Sequence, residues 1–350
     1  MPPEIQIAGR FVGPSHKPFV IAEMSANHNG SLDTALLIVE EAKRAGADAI
    51  KLQTYRPDTL TLPCDGPEFR IEGGLWGGRT LYELYRQAQM PWEWHQPIFA
   101  KARELGLIAF SSPFDSTAID LLESLNAPAY KIASFEAVDL PLIRYAAKTG
   151  KPIIISTGLA DADEIQEAID TAKCAGCSDV AILHCVSGYP APATDYNLRT
   201  ISDMIQRFGL VTGLSDHTLD NATAIAAIAL GGSIIEKHFT LDRSGGGPDD
   251  SFSLEPAGLV ALCRDALTAW SALGDVNYGL KSSERSNAQY RRSLYFVKHL
   301  KAGTRITAED IRSVRPGFGL PPKFFDVVVG RIVTVDVAPY SPVRWDLLEN

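Results

Sequence analysis

Residues 152–185 read PIIISTGLADADEIQEAIDTAKCAGCSDVAILHC, and this stretch contains the unit from which most of the chain is built. A short β-branched run, PIIIST (152–157), is followed by a helical stretch and then by a second run, VAILHC (180–185). Further runs of the same kind are PFVIAEM (18–24), DAIKLQT (48–54), LIAFSS (107–112), AYKIAS (129–134), LVTGLS (210–215) and SIIEKHF (233–239). Amphipathic segments separate them. In LDTALLIVEEAKRAGA (32–47), Ala35, Leu36, Val39, Ala42 and Lys43 return at helical spacing, and a glycine ends the run. Near-continuous apolar strands argue for a parallel sheet buried on both faces, and eight β-then-α units in roughly 250 residues predict a (β/α)8 TIM barrel. An open doubly wound sheet would want a glycine-rich first turn, and IAEMSANHNG contains no G-x-G-x-x-G.

The remaining segments are read against that period. The barrel is expected over residues 1–272, with an insert at 56–90 that contains GGLWGGRTLYELY (73–85); loops this long on a barrel's C-terminal side tend to be functional. A polar, uneven linker is expected at 273–292. Short strands, Gly/Pro turns and one short helix then predict a small second domain over 293–350.

The 350 residues are 45% hydrophobic and 21% charged, ordinary for a globular chain, and the net charge of −9 without a Lys/Arg run speaks against nucleic-acid binding. No apolar run is long enough to span a membrane and no signal pattern opens the chain, so the expected location is cytoplasmic. Five cysteines, an odd number, do not form a disulfide framework. Cys174 and Cys177 make a C-x-x-C, but it ends a helical stretch and has no second pair, which favours a plain helix end.

Catalytic groups of such barrels come from the C-terminal ends of the strands and the loops beyond them. Those positions carry Glu23, Asn27 and His28; Lys51 and Gln53; Ser111 and Ser112; Lys131, Ser134 and Glu136; Ser156 and Thr157; His184, Ser187 and Tyr189; Ser215, Asp216 and His217; and Glu236, Lys237 and His238. Lys51 and Lys131 stand inside apolar strands, where an ammonium needs a counter-charge. They are read as internal ion pairs with Glu23, Glu136 or Glu236, as a Schiff-base lysine, or as clamps on an anion within a ring of serines. Adjacent barrel strands lie about 4.8 Å apart, so His217 and His238 at neighbouring strand ends can reach one divalent ion. The plainer reading is two packing histidines.

Seven strings, FVIAEMSANHNGSLDTAL, GADAIKLQTYRPDTLTL, FSSPFD, YKIASFE, IISTGLA, GLSDHT and IEKHFTLD, together resemble the sialic acid (nonulosonic acid) synthase family, whose members condense phosphoenolpyruvate with an amino-sugar aldehyde. SLYFVKHLKAGTRITAEDIRSVRPGFGL is similar to the antifreeze-like (SAF) domain that these enzymes carry. SANHNG, GGLWGGRTLYELY, SVRPGFGLPPKF and the FSL at 252–254 resemble the branch that makes pseudaminic acid, which implies a 2,4-diacetamido-2,4,6-trideoxy-altropyranose acceptor. N-acetylneuraminic or legionaminic acid synthesis, with the same chemistry, is the alternative.

The resemblance implies a phosphoenolpyruvate site at Lys51, Ser112, Lys131, Ser134, Ser156, Ser187 and Ser215. Ser112 stands where many relatives have Thr and Ser187 where they have Asn, which shortens the latter contact. It implies sugar contacts at Glu23, Asn27, Gln53, Tyr189 and Asp249, and metal ligands at His217 and His238, with Mn²⁺ expected and Mg²⁺ or Co²⁺ as substitutes. Glu136, Glu23 and the two lysines would carry the catalysis. Arg315 would reach the acyl groups of a sugar in the neighbouring barrel of a domain-swapped homodimer. A sugar-binding protein without turnover would be expected to have lost a clamp or metal residue, yet Lys51, Lys131, His217 and His238 are all present.

Overall fold

The computed structural model describes residues 2–349 and divides into two compact units, one ending at Gly274 and one beginning at Asp275. In the first, a hairpin of β1 (Ile5–Ile7) and β2 (Arg10–Val12) precedes eight parallel strands. These are β3 (Phe19–Glu23), β4 (Ala49–Thr54), β5 (Ile108–Pro113), β6 (Tyr130–Ile132), β7 (Ile153–Ser156), β8 (Val180–Cys185), β9 (Val211–Asp216) and β10 (Ile234–His238). β10 pairs with β3 and closes the barrel, as the eightfold period predicts. The hairpin is an addition that the sequence reading did not contain. Ile5, Ile7 and Val12 join the inward-facing Phe19, Ile21, Ala49, Phe110, Ile154, Leu183 and Ile234 in one apolar cluster. The hairpin thus closes the end of the barrel opposite the strands' C-termini.

Helix boundaries follow local chemistry. Ser31 accepts the Thr34 amide ahead of the helix Leu32–Ala45, and Gly46 ends it with φ of 92°, a left-handed conformation that costs glycine little. The buried faces of the helices, with Ile38, Val39, Ile98, Ile119, Ile143 and Ile169, pack on the outward residues of the sheet in a second, larger cluster. Within the insert, the helix Leu81–Ala88 starts in a capping box of Thr80 and Glu83. The fourth apolar run, expected as a strand through Ser134, stops at Ile132. Ser134–Glu136 instead form a 3-10 turn, in which the Ser134 hydroxyl accepts the Gly158 amide from the next strand's loop at 3.2 Å.

The second unit pairs β11 (Ser293–Phe296) antiparallel to β12 (Ile311–Val314). Its own core contains Leu294, Phe296, Ile306, Ile311, Val328, Val333 and Val343. The stretch expected as a plain linker includes a 3-10 segment, Ser282–Tyr290. Among the described residues no helix is long and apolar enough to cross a membrane.

Gly213 shows how tightly the barrel is filled. A Cβ there would overlap the Ile234 carbonyl oxygen and sit 2.7 Å from Ile234 Cβ and 2.8 Å from a Leu183 methyl. Gly213→Ala should therefore cost about 1–3 kcal/mol of stability, the usual result of overpacking. Urea unfolding of the two proteins measures it, and an unchanged midpoint would contradict this packing.

Candidate active site

In a strand every second side chain points to the same face. From the apolar positions 19, 21, 49, 110, 154, 181, 183, 211 and 234 that fill the barrel interior, the same parity continued toward the C-terminal ends reaches Glu23, Lys51, Gln53, Ser112, Lys131, Ser156, Cys185, Ser215, His217, Glu236 and His238. The apolar plug thus gives way to a polar layer at the mouth. The intervening residues point outward. Ser111 bonds Thr54 Oγ1 at 2.6 Å, and His184 bonds the Tyr196 carbonyl oxygen. Lys237 pairs with Asp216 at 2.9 Å while donating to the Thr218 carbonyl at 2.6 Å. These strand-end candidates lie outside the mouth, and Asp216 has the loop-holding part in the turn that carries His217.

A chain of alternating charges crosses the mouth. Lys51 Nζ lies 2.7 Å from Glu23 and 3.6 Å from Glu236, and Lys131 Nζ lies 3.3 Å from the same Glu236 oxygen. Ser112 Oγ accepts from Lys51 at 3.2 Å, and Ser215 donates to Glu236 at 3.2 Å. Gln53 donates to Glu23 at 3.0 Å and to Ser25 Oγ at 2.9 Å. The lysines therefore pair with Glu23 and Glu236, and Glu136, the third candidate counter-ion, makes no ion pair among the described residues.

Burial pushes Glu23 up to about 7, against the pull of Lys51 and with the repulsion of Glu236. Burial also raises Glu236, but the two lysines outweigh it and hold its carboxyl below the usual range. The Lys51 ammonium is destabilised by burial and restored by both carboxylates to above its ordinary value, whereas burial wins at Lys131 and lowers it. Glu136 is pushed up to about 7 by burial.

His217 and His238 meet, with ring centroids 5.4 Å apart. His217 Nδ1 is 2.8 Å from the Val186 carbonyl oxygen, which fixes its proton there and leaves the lone pair on Nε2. Burial and the neighbouring imidazole hold His238 well below its ordinary value, so it is neutral, and its Nδ1 is buried without a partner. With metal–nitrogen bonds of about 2.1 Å, two imidazoles on one ion have centroids roughly 5 Å apart. The spacing of the pair and the free His238 Nδ1 suit one divalent ion; no third His, Cys, Asp or Glu joins them among the described residues.

Loops complete the mouth. Tyr189 lies 4.4 Å from the His217 ring, and Asp249 accepts from Ser25 Oγ at 2.5 Å. Asn27 gives its amide protons to Phe239 O and Ser253 Oγ at 2.9 and 2.8 Å, which ties the first loop to the last. A Cβ at Gly158 would overlap Ser187 Oγ and lie 2.8 Å from Ser134 Oγ, so glycine is needed for these hydroxyls to converge. Ser156 Oγ, Ser187 Oγ, Glu136 Oε2 and Glu236 Oε2 are buried without partners among the described residues. Buried polar atoms are nearly always paired, so such atoms at one mouth mark a ligand site. Arg315 is exposed on the second unit. Cys185, whose Sγ lies 4.0 Å from His217 Nδ1, is absent from the strand-end candidates, and Glu236 stands among them with no part beyond that of a counter-ion. Strand parity was the signal for both.

Residues 38–278 match the NeuB family and residues 291–349 match the SAF domain. The chain is 44% identical over 321 residues to the pseudaminic acid synthase of Campylobacter jejuni subsp. jejuni (serotype O:23/36, strain 81-176), covering 92% of this chain and 94% of that one. It is 41% identical over 334 residues to the pseudaminic acid synthase of Helicobacter pylori, covering 95% and 98%. The crystal structure of N-acetylneuraminic acid synthetase from Leptospira borgpetersenii, in complex with citrate, matches with a TM-score of 0.73 at 30% identity, over 82% of this chain and 95% of that one. Closed barrel, polar mouth and these likenesses agree: the chain belongs to the NeuB family, with an SAF domain at its C-terminal end.

Proposed function

We propose that the protein is a pseudaminic acid synthase, a transferase that condenses phosphoenolpyruvate with 2,4-diacetamido-2,4,6-trideoxy-β-L-altropyranose to give pseudaminic acid and phosphate. The observation that carries this reading is a set of donors, the two buried ammonium groups of Lys51 and Lys131 and the buried hydroxyls of Ser156 and Ser187, which have no partner among the described residues. Such a site asks for a compact, multiply charged anion with many acceptors, and phosphoenolpyruvate has both a phosphate and a carboxylate. Relatives at 44% and 41% identity that are pseudaminic acid synthases support the choice of sugar.

In this reading Lys51 and Lys131 clamp the phosphate and carboxylate, with Ser112, Ser134, Ser156, Ser187 and Ser215 supplying hydroxyls. Glu23, Gln53, Tyr189 and Asp249 orient the open-chain sugar, with Asn27 between the loops that hold them. Positioning and charge stabilisation then supply most of the catalysis. Lys51 is held as an ammonium by Glu23 and Glu236, which suits a clamp and disfavours a Schiff-base nucleophile. His217 and His238 would hold a divalent ion, Mn²⁺ or a substitute such as Mg²⁺ or Co²⁺, which when bound supplies Lewis acidity at the aldehyde oxygen. Glu136 holds the water that adds at C2 and takes its proton as the C2=C3 electron pair joins C3 to the aldehyde carbon, whose oxygen takes up a proton to become a hydroxyl; the C2–O bond then breaks, phosphate leaves with the bonding pair, and the C2 hydroxyl gives up its proton as the ketone forms. Arg315, read from the RPG string, would contact the sugar's acyl groups in a domain-swapped homodimer.

Phosphate release with divalent metal, measured against the trideoxy diacetamido sugar and the neuraminic- and legionaminic-type acceptors, tests the assignment. The first should turn over fastest; preference for either of the others would move the chain to that branch. Exchange of both imidazoles for Ala (His217→Ala with His238→Ala) should reduce bound Mn²⁺, read by elemental analysis, from about one ion per chain to none, with circular dichroism unchanged. Full retention of the ion would remove these ligands from the scheme.

Glu136→Gln should lower kcat by about 10²–10⁴-fold, the usual worth of a general base. Its carboxyl is raised from about 4.3 unfolded to about 7 folded. Its contribution to stability is therefore fully present below the unfolded value and lost as pH rises through the folded one. Melting temperatures at pH 5 and pH 8 should show the variant gaining on the wild type at the higher pH, and a pH-independent difference would contradict the raised carboxyl.

A further inference from the structure

The insert after β4 brings one side chain to the mouth that the scheme above does not use. Its residues 71–79 form a loop pinned at the base by Ile71 N–Arg79 O and Gly78 N–Ile71 O bonds of 2.9 and 3.0 Å. Gly73, Gly74 and Gly78 have positive φ values of 76°, 69° and 88°, and a Cβ at Gly77 would lie 2.9 Å from Gly73 O. This backbone needs its glycines. What it holds out is Trp76, half-buried, whose indole N–H donates to Pro248 O at 2.9 Å.

Trp76 is the outermost part of an aromatic stack that begins at the two imidazoles. Tyr189 lies 4.4 Å from His217 and 5.4 Å from Phe252, and Phe252 lies 5.0 Å from His238. Trp76 then lies 5.7 Å from Tyr189 and 6.5 Å from Phe252. Loops after β4, β8 and β10 thus build one apolar wall, while Gln53, Glu23, Ser25 and Asp249 form a hydrogen-bonded network elsewhere in the mouth. An open-chain hexose with its C1 aldehyde beside the imidazoles extends about 6 Å further, given carbon–carbon bonds of about 1.5 Å. Laid along this wall, with its polar groups toward Gln53, Glu23 and Asp249, such a chain passes Tyr189 and Phe252 beside the imidazoles and brings its C6 end to Trp76.

We infer that Trp76, backed by Tyr189 and Phe252, is the specificity residue that selects a sugar with a 6-methyl group over one with a 6-hydroxymethyl group. This rests on the acceptor assigned under the proposed function. A methyl group gains contact with the indole face, whereas a hydroxyl there loses water without finding a partner. One such group in an apolar site is worth roughly 10–200-fold in kcat/KM.

Steady-state kinetics with the trideoxy diacetamido sugar and with its 6-hydroxy counterpart, 2,4-diacetamido-2,4-dideoxy-β-L-altropyranose, on wild type, Trp76→Phe and Trp76→Ala, test the inference. Trp76→Ala should raise KM for the trideoxy sugar about 10–100-fold, leave KM for phosphoenolpyruvate within about twofold, and shrink the preference between the two sugars. Trp76→Phe should keep most of the preference. Intrinsic fluorescence adds a readout independent of turnover: the acceptor alone should perturb the wild type's emission, and Trp76→Phe should lose that response. An unchanged sugar preference in Trp76→Ala, or an equal loss for both sugars, would overturn the wall while leaving the acceptor assignment intact. Wild-type turnover of 6-hydroxy sugars alone would overturn the acceptor assignment first, before any variant is compared. If Trp76→Ala melts below the assay temperature, the fluorescence response and kinetics of Trp76→Phe decide the matter.

Discussion

The closed barrel imposes one constraint that orders everything else at the mouth: each strand sends alternate side chains inward, and closure leaves no freedom to change which ones. β10 is in register with β3 so that His238 lies beside Glu23, and Glu23 in turn lies beside Lys51 on β4. Glu236 lies beside Ser215 on β9. A shift of one residue in any strand would exchange Lys51 for Leu52, or Glu236 for Lys237, and send apolar side chains to the mouth and charges into the layer between sheet and helices. The apolar cluster lower in the barrel, closed by the β1–β2 hairpin, opposes such slippage because seven of the eight barrel strands contribute to it, with Ala129 just ahead of β6.

Electrostatics then narrows what the mouth can be. Four ionisable groups with almost no exposure sit in a chain whose formal charges cancel, Glu23, Lys51, Glu236 and Lys131. Buried charges are costly to remove from water, and removing one partner of such a pair costs roughly 3–5 kcal/mol. Glu23 pushed up to about 7 means that its proton is only marginally held near neutral pH, and whenever it is protonated the chain carries a net positive charge. An anion entering the mouth then meets two ammonium groups, one of them no longer balanced. The same burial keeps His238 neutral, the form in which an imidazole donates a lone pair.

Much of this was legible in the residues. Eight apolar runs separated by helical segments encode a parallel barrel because a strand covered on both faces must be apolar throughout, and the strings at their ends carry the family's chemistry. Reading every polar residue near a strand end, without its parity, mixed two populations. Ser111, His184, Asp216 and Lys237 have the same composition as catalytic groups but lie on the outer face, where they hold loops and helices. Glu136 likewise looked like a counter-ion for a lysine, and its turn geometry instead leaves one oxygen buried and unpaired. The N-terminal hairpin escaped because strands of three residues have no period to read.

The sequence by itself determined the eightfold repeat, the second unit, the family and the identity of the mouth's polar residues, because periodicity and motif order are local properties of the chain. The tertiary structure alone decided which of them touch. Glu236 became the shared partner of two lysines from β4 and β6, and His217 and His238 came to share one space. Trp76 came to lie over Tyr189 and Phe252 from loops more than a hundred residues away. Those pairings depend on strand register, barrel closure and loop docking, which are set by contacts between segments far apart in the chain and cannot be read from any one of them.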